Sequence, residues 1–163
     1  RFSLARAAVH AALAFALALV LLILFALTQY PTAAIKGTTE GITGEWLQSL
    51  FTAMLRMSAI TAFAAALGSS LAMLGRRTAL ALIGVFAYLF IVESLISAFV
   101  EGIRPWLLAI NIAVFMTGSD VASGPHQDFT RTTASAGFIL LAYTIVFVAL
   151  AAAAFRRRDF VSS

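Results

Sequence analysis

The sequence predicts an all-α membrane protein with four transmembrane helices and a short re-entrant or interfacial outer helix before the last span. Of its 163 residues, 62% are hydrophobic and 11% charged, whereas a soluble domain carries about 25% charged residues. The apolar residues collect into runs of roughly 20 or more, the length that crosses a bilayer core at about 1.5 Å per residue. Basic residues stand at the ends of these runs. A soluble core of this size could not hide so much apolar surface, so the solvent is lipid.

The elements follow in order. Residues 5–27 are rich in Ala and Leu and form the first span, expected to stop at Thr28-Gln29-Tyr30-Pro31, where an interfacial aromatic meets a helix breaker. This run exceeds the 7–15 apolar residues, roughly, of a secretory signal. Residues 32–45 are polar and glycine-punctuated, which predicts a solvated loop. The second span, 46–74, is rich in Ala, Gly and Ser. Its Ala64, Gly68 and Ala72 share the four-residue spacing that lets helices approach closely in lipid. Gly75, Arg76 and Arg77 make a tight turn into the third span, 78–100, so spans two and three form an antiparallel hairpin. The apolar run 105–115 is too short to cross and is read as the outer half-helix. A last span, 133–155, ends at Arg156-Arg157-Arg158-Asp159.

Charge sets the expected orientation. Arg1, Arg6, Arg76, Arg77, Arg156, Arg157 and Arg158 fall on one side, against Lys36, Arg104 and Arg131 on the other. The positive-inside rule then puts both visible termini in the cytoplasm. The excess of basic residues reflects topology and does not point to nucleic acid. The chain begins at Arg1 without a methionine and is read as part of a longer polypeptide.

Two charges lie inside the apolar runs, Arg56 and Glu93, and charges there usually face a partner or water. Counted from the shared turn, their heights differ by roughly 5 Å, which predicts a pair or a polar network across the hairpin. The alternative has Arg56 reaching the outer interface and Glu93 protonated or bonded elsewhere. His10 is expected to be packed and hydrogen-bonded. With no cysteine there is no disulfide and no thiolate metal site. No metal site or catalytic residue is expected, and no G-x-x-x-x-G-K-[ST] phosphate loop is present. The segment Ser123-Gly124-Pro125-His126-Gln127-Asp128 only faintly suggests a lipid phosphatase element, because its order is wrong.

Taken in order, several motifs resemble the membrane subunits (permeases) of type 2 ABC transporters, mostly bacterial exporters. They are the basic start Arg1-Phe2-Ser3-Leu4-Ala5-Arg6, the Arg-Arg turn into the span holding Glu93, and Pro105-Trp106-Leu107 with the half-helix near Asn111. The terminal Phe155-Arg156-Arg157-Arg158-Asp159-Phe160 completes the set. The resemblance implies the last four spans of a six-span permease in a bacterial inner membrane. It also implies a second permease copy or homologous permease, membrane lipids around the pair, and separate ATPase subunits that bind ATP and magnesium. By the same resemblance this chain binds no cofactor, Pro105, Trp106 and Asn111 belong to an outer re-entrant roof, and Gly75, Arg76 and Arg77 face the ATPase or lipid phosphates. A secondary transporter or channel using Arg56 and Glu93, a small membrane scaffold and an intramembrane enzyme are the other classes left open.

Overall fold

The computed structural model describes residues 2–37, 41–74, 83–84, 87–118 and 131–159. Every regular element among them is helical. Helix α1 is Phe2–Lys36 and α2 is Gly44–Leu74. A π-helical turn, Tyr88–Val92, leads into α3, Glu93–Phe99. A 3-10 turn, Glu101–Trp106, then precedes α4, Leu108–Thr117, and α5 is Thr133–Asp159. The stretches Ala5–Lys36, Gly44–Ala72 and Thr133–Ala154 are each long and apolar enough to cross a membrane. Among the described residues the chain is therefore all-α, with three helices long and apolar enough to cross a membrane. The Gly75-Arg76-Arg77 turn, the opening of the segment 78–100 and the polar stretch 119–130 lie outside the described residues.

The expected stop at Pro31 does not occur, because α1 continues through it to Lys36. Proline removes one N–H and crowds the carbonyl four residues back. Threonine hydroxyls add bonds on either side, from Thr28 to the Phe25 carbonyl at 2.7 Å and from Thr32 to the Thr28 carbonyl at 3.0 Å. Such hydroxyls are a recognised way for an apolar helix to carry a proline. Residues 32–36 are thus helix, where a loop was expected. Helix α1 packs along α2 and leaves Leu13, Leu17, Leu24 and Phe25 exposed. His10 is exposed on it as well, so the expected packed histidine is not found.

The core lies where α2, α4 and α5 meet. Phe63 and Leu67 of α2, Leu108 of α4 and Leu140 of α5 form one buried cluster, and Val114 with Ala136 a second. The ring of Phe115 sits 3.0 Å from where a Cβ on Gly137 would stand, and the Tyr143 hydroxyl donates to the Trp106 carbonyl at 2.9 Å. Rising numbers on α4 thus meet falling numbers on α5. The same holds on α2, where Gly118 adjoins Arg56 while Leu108 shares a cluster with Phe63 and Leu67. Helix α4 is antiparallel to both neighbours, which makes α2 and α5 parallel. The chain between them has to return from the C-terminal level of α2 to the N-terminal level of α5. The small-residue face of α2 is not used in this packing: Ala64 and Ala72 are exposed, and a Cβ on Gly68 would meet nothing within 4 Å.

Candidate functional site

The backbone brings the start of α4 back to Glu93. Val100 leaves the helical region at φ −126, ψ 89 and ends α3. Seven α-helical residues rise about 10 Å, and six residues of 3-10 helix return about 12 Å, so α4 begins near the level where α3 began. Leu107, extended at φ −67, ψ 138, offers no side-chain cap. The first N–H groups of any helix lack partners within it. Here the Glu93 carboxylate supplies them, Oε1 accepting from the Leu108 N–H at 2.8 Å and Oε2 from the Ala109 N–H at 2.7 Å. Glu93 is 2% exposed, and its charge sits at the positive end of the α4 dipole. Tyr88, on the π-helical turn, lies near the same carboxylate.

The opposite end of α4 carries the opposite charge. Gly118 takes the left-handed conformation that often ends a helix, at φ 67, and its N–H donates to the Val114 carbonyl at 3.0 Å. A Cβ on Gly118 would collide with the Arg56 guanidinium. Arg56 therefore lies against the negative end of the dipole, with its buried Nε lacking a hydrogen-bond partner.

Arg56 and Glu93 do not pair with each other, contrary to the expectation from sequence. They bracket α4, whose ten residues separate them by about 15 Å. Counting heights along a plain hairpin omits the 3-10 return, which delivers two N–H donors to Glu93 and occupies both carboxylate oxygens.

Asn111 ties the remaining pieces together. It is 0% exposed. Its Nδ2 donates to the Pro105 carbonyl at 3.0 Å and the Leu107 carbonyl at 2.7 Å. Its Oδ1 accepts from Arg131 Nε at 3.2 Å, and the Arg131 guanidinium lies 5.8 Å from the centre of the Trp106 ring. Arg104 is buried, and its Nε donates to the Ser97 carbonyl at 2.6 Å. Its contact to Glu101 is 3.7 Å with the glutamate 84% exposed, an ion pair of little energetic weight. Pro105 and Trp106 stand in the 3-10 turn, so the α-helix proper starts three residues later than the expected half-helix. Tyr143, which holds the Trp106 carbonyl, is ten residues past Thr133. That is about 15 Å along the axis, near the middle of the apolar stretch Thr133–Ala154.

Sequence reasoning singled out Arg56, Glu93, Asn111 and Trp106 but missed Gly118 beside Arg56, Arg131 on Asn111 and Tyr143 on Trp106. The signal for Gly118 was a glycine directly after an apolar helical run; Arg131 and Tyr143 carried none. No group of acidic and histidine side chains suited to a metal occurs among the described residues.

Fold and site together define a helical protein, with three helices long and apolar enough to cross a membrane, in which a short, partly buried helix lies between a carboxylate and a guanidinium. Residues 3–161 match the family described as a protein of unknown function (DUF2705), and the chain belongs to that family. No curated protein and no solved structure matches it.

Proposed function

We propose that the chain is the permease subunit of an ATP-driven transporter, an exporter of the type 2 ABC kind, in a bacterial plasma membrane. In this reading it crosses four times with both visible ends in the cytoplasm, pairs with a second permease, and is driven by separate ATPase subunits. The observation that carries the reading is the clamped helix α4. Its start lies at mid-depth of the apolar stretch of α5, as suits the outer re-entrant roof that the sequence resemblance implies. The parallel sense of α2 and α5 adds support, because the chain between them has to cross back once.

The residues give this role a mechanical form. Glu93 joins the segment carrying α3 to the start of α4 through two hydrogen bonds. Tilting of that segment then moves the roof with it, and Arg56 steadies the roof's outer end. ATP and magnesium act in the partner chain, while this chain supplies the path.

The test is whether the neighbouring gene encodes a phosphate-loop ATPase that co-purifies with this chain, and whether ATP hydrolysis then requires both chains. Transport by this chain alone, in liposomes with an ion gradient and no ATP, would replace the proposal with a secondary transporter built on Arg56 and Glu93.

A further inference from the structure

We propose that Arg131, fixed over Trp106 by Asn111, is a binding site for a phosphate group, that of an anionic phospholipid headgroup. The arrangement is built from beneath. Asn111 is fully buried, and its amide nitrogen is committed to two backbone carbonyls, so its oxygen is presented in one direction, to Arg131 Nε. The Trp106 ring lies 5.8 Å from the guanidinium carbon, within cation–π range. With Nε used, the two Nη groups form the remaining edge, and no carboxylate faces them among the described residues. A planar two-pronged donor of this kind matches two oxygens of a phosphodiester better than a point charge does.

Position points to lipid as the source. Arg131 stands two residues before Thr133, where the apolar stretch of α5 begins, which is headgroup level if that stretch spans. Trp106 is 62% exposed and lies inward of that level, with the Arg131 side chain reaching down from the boundary to meet it. Trp106 is itself anchored by the Tyr143 hydroxyl on its carbonyl, so the platform is rigid before a ligand arrives. The site rests on the membrane reading and not on the transport reading, so the ATPase experiment can fail without touching it.

The sequence holds two tryptophans, so Trp46→Phe leaves Trp106 as the sole reporter. This protein is placed in phosphatidylcholine nanodiscs containing a minor fraction of chain-brominated phosphatidylglycerol, or the same fraction of brominated phosphatidylcholine. The expected result is stronger quenching by phosphatidylglycerol, equivalent to about fivefold local enrichment for a charge-assisted contact at a wet interface. Arg131→Gln is expected to abolish the difference. Arg131→Lys, which keeps the charge without the two-pronged edge, is expected to leave less than about twofold. The lysine variant also serves if the glutamine variant does not fold. Inorganic phosphate added at constant ionic strength separates the sources. Enrichment that survives it assigns the site to the lipid headgroup. Loss of enrichment, with an Arg131-dependent shift of Trp106 emission in detergent, keeps the phosphate site but overturns the lipid assignment. Equal quenching by both lipids with no response to phosphate overturns the proposal.

Discussion

Replacing Glu93 by alanine removes the cap that α4 has at its start among the described residues, and the structure sets the size of the effect. Two hydrogen bonds of 2.8 and 2.7 Å to a carboxylate are lost. The Leu108 amide belongs to a residue 4% exposed, so its N–H is left without water or partner at a cost of about 1–3 kcal/mol. Ala109 is exposed, and its N–H is less confined than that of Leu108. Adding the lost interaction with the helix dipole, about 0.3–2 kcal/mol depending on burial, gives roughly 1–5 kcal/mol for Glu93→Ala. Glu93→Gln keeps one acceptor oxygen and loses the charge, so roughly 1–2 kcal/mol is expected. The assay is reversible unfolding in mixed detergent micelles, followed by tryptophan fluorescence. Glu101→Ala is the control: that side chain is 84% exposed, and no measurable change is expected. A loss below about 1 kcal/mol for Glu93→Ala, or one equal to that of Glu101→Ala, would refute the capping role.

Because Arg56 and Glu93 sit at opposite ends of α4, the Arg56→Gln and Glu93→Gln effects are expected to add within about 0.5 kcal/mol. A larger coupling in the double-mutant cycle would mean the two meet. Gly118→Ala puts a Cβ at positive φ and into the Arg56 guanidinium, and a loss of about 1–3 kcal/mol in the same unfolding assay is expected; a neutral result would contradict the contact. Asn111→Leu strips three hydrogen bonds from a fully buried position. It is expected to cost about 1–3 kcal/mol and to change Trp106 emission as Arg131 is released; unaltered emission would argue against the tie. The chain has no cysteine, so Thr43→Cys and Thr132→Cys can each be labelled alone with an impermeant maleimide. Both are expected to react from the same face, and reaction from opposite faces would rule out parallel α2 and α5.

The all-α class and the long apolar helices were legible because composition and run length decide them. Local chemistry misled at Pro31, where a helix breaker lies beside threonines that help α1 continue. The half-helix was visible as an apolar run too short to cross, but the 3-10 limb before it was not, since Glu101–Trp106 has no pattern that separates a loop from a tight helix. Glu93 stood out as a charge among apolar residues. Its partners could not be read, because they are backbone amides fifteen and sixteen positions onward and backbone groups leave no mark in a sequence. The one usable hint was negative: Leu107 is a poor N-cap, so a buried helix starting there needs its cap from elsewhere. Arg131 was counted only as an outer charge, since nothing in the sequence says that Asn111 would reach it.

The π-helical turn before Glu93 has one further consequence. There the Glu93 N–H donates to the Tyr88 carbonyl, five residues back, so this coil holds one residue more than an ordinary turn. Deleting a single residue from it would let the coil close as an ordinary α-helical turn, with the surplus taken up inside that turn and the helix on either side left in phase. The surplus residue is thus confined to one turn, and what it alters is the Tyr88–Val92 coil itself and not the aim of the carboxylate that follows.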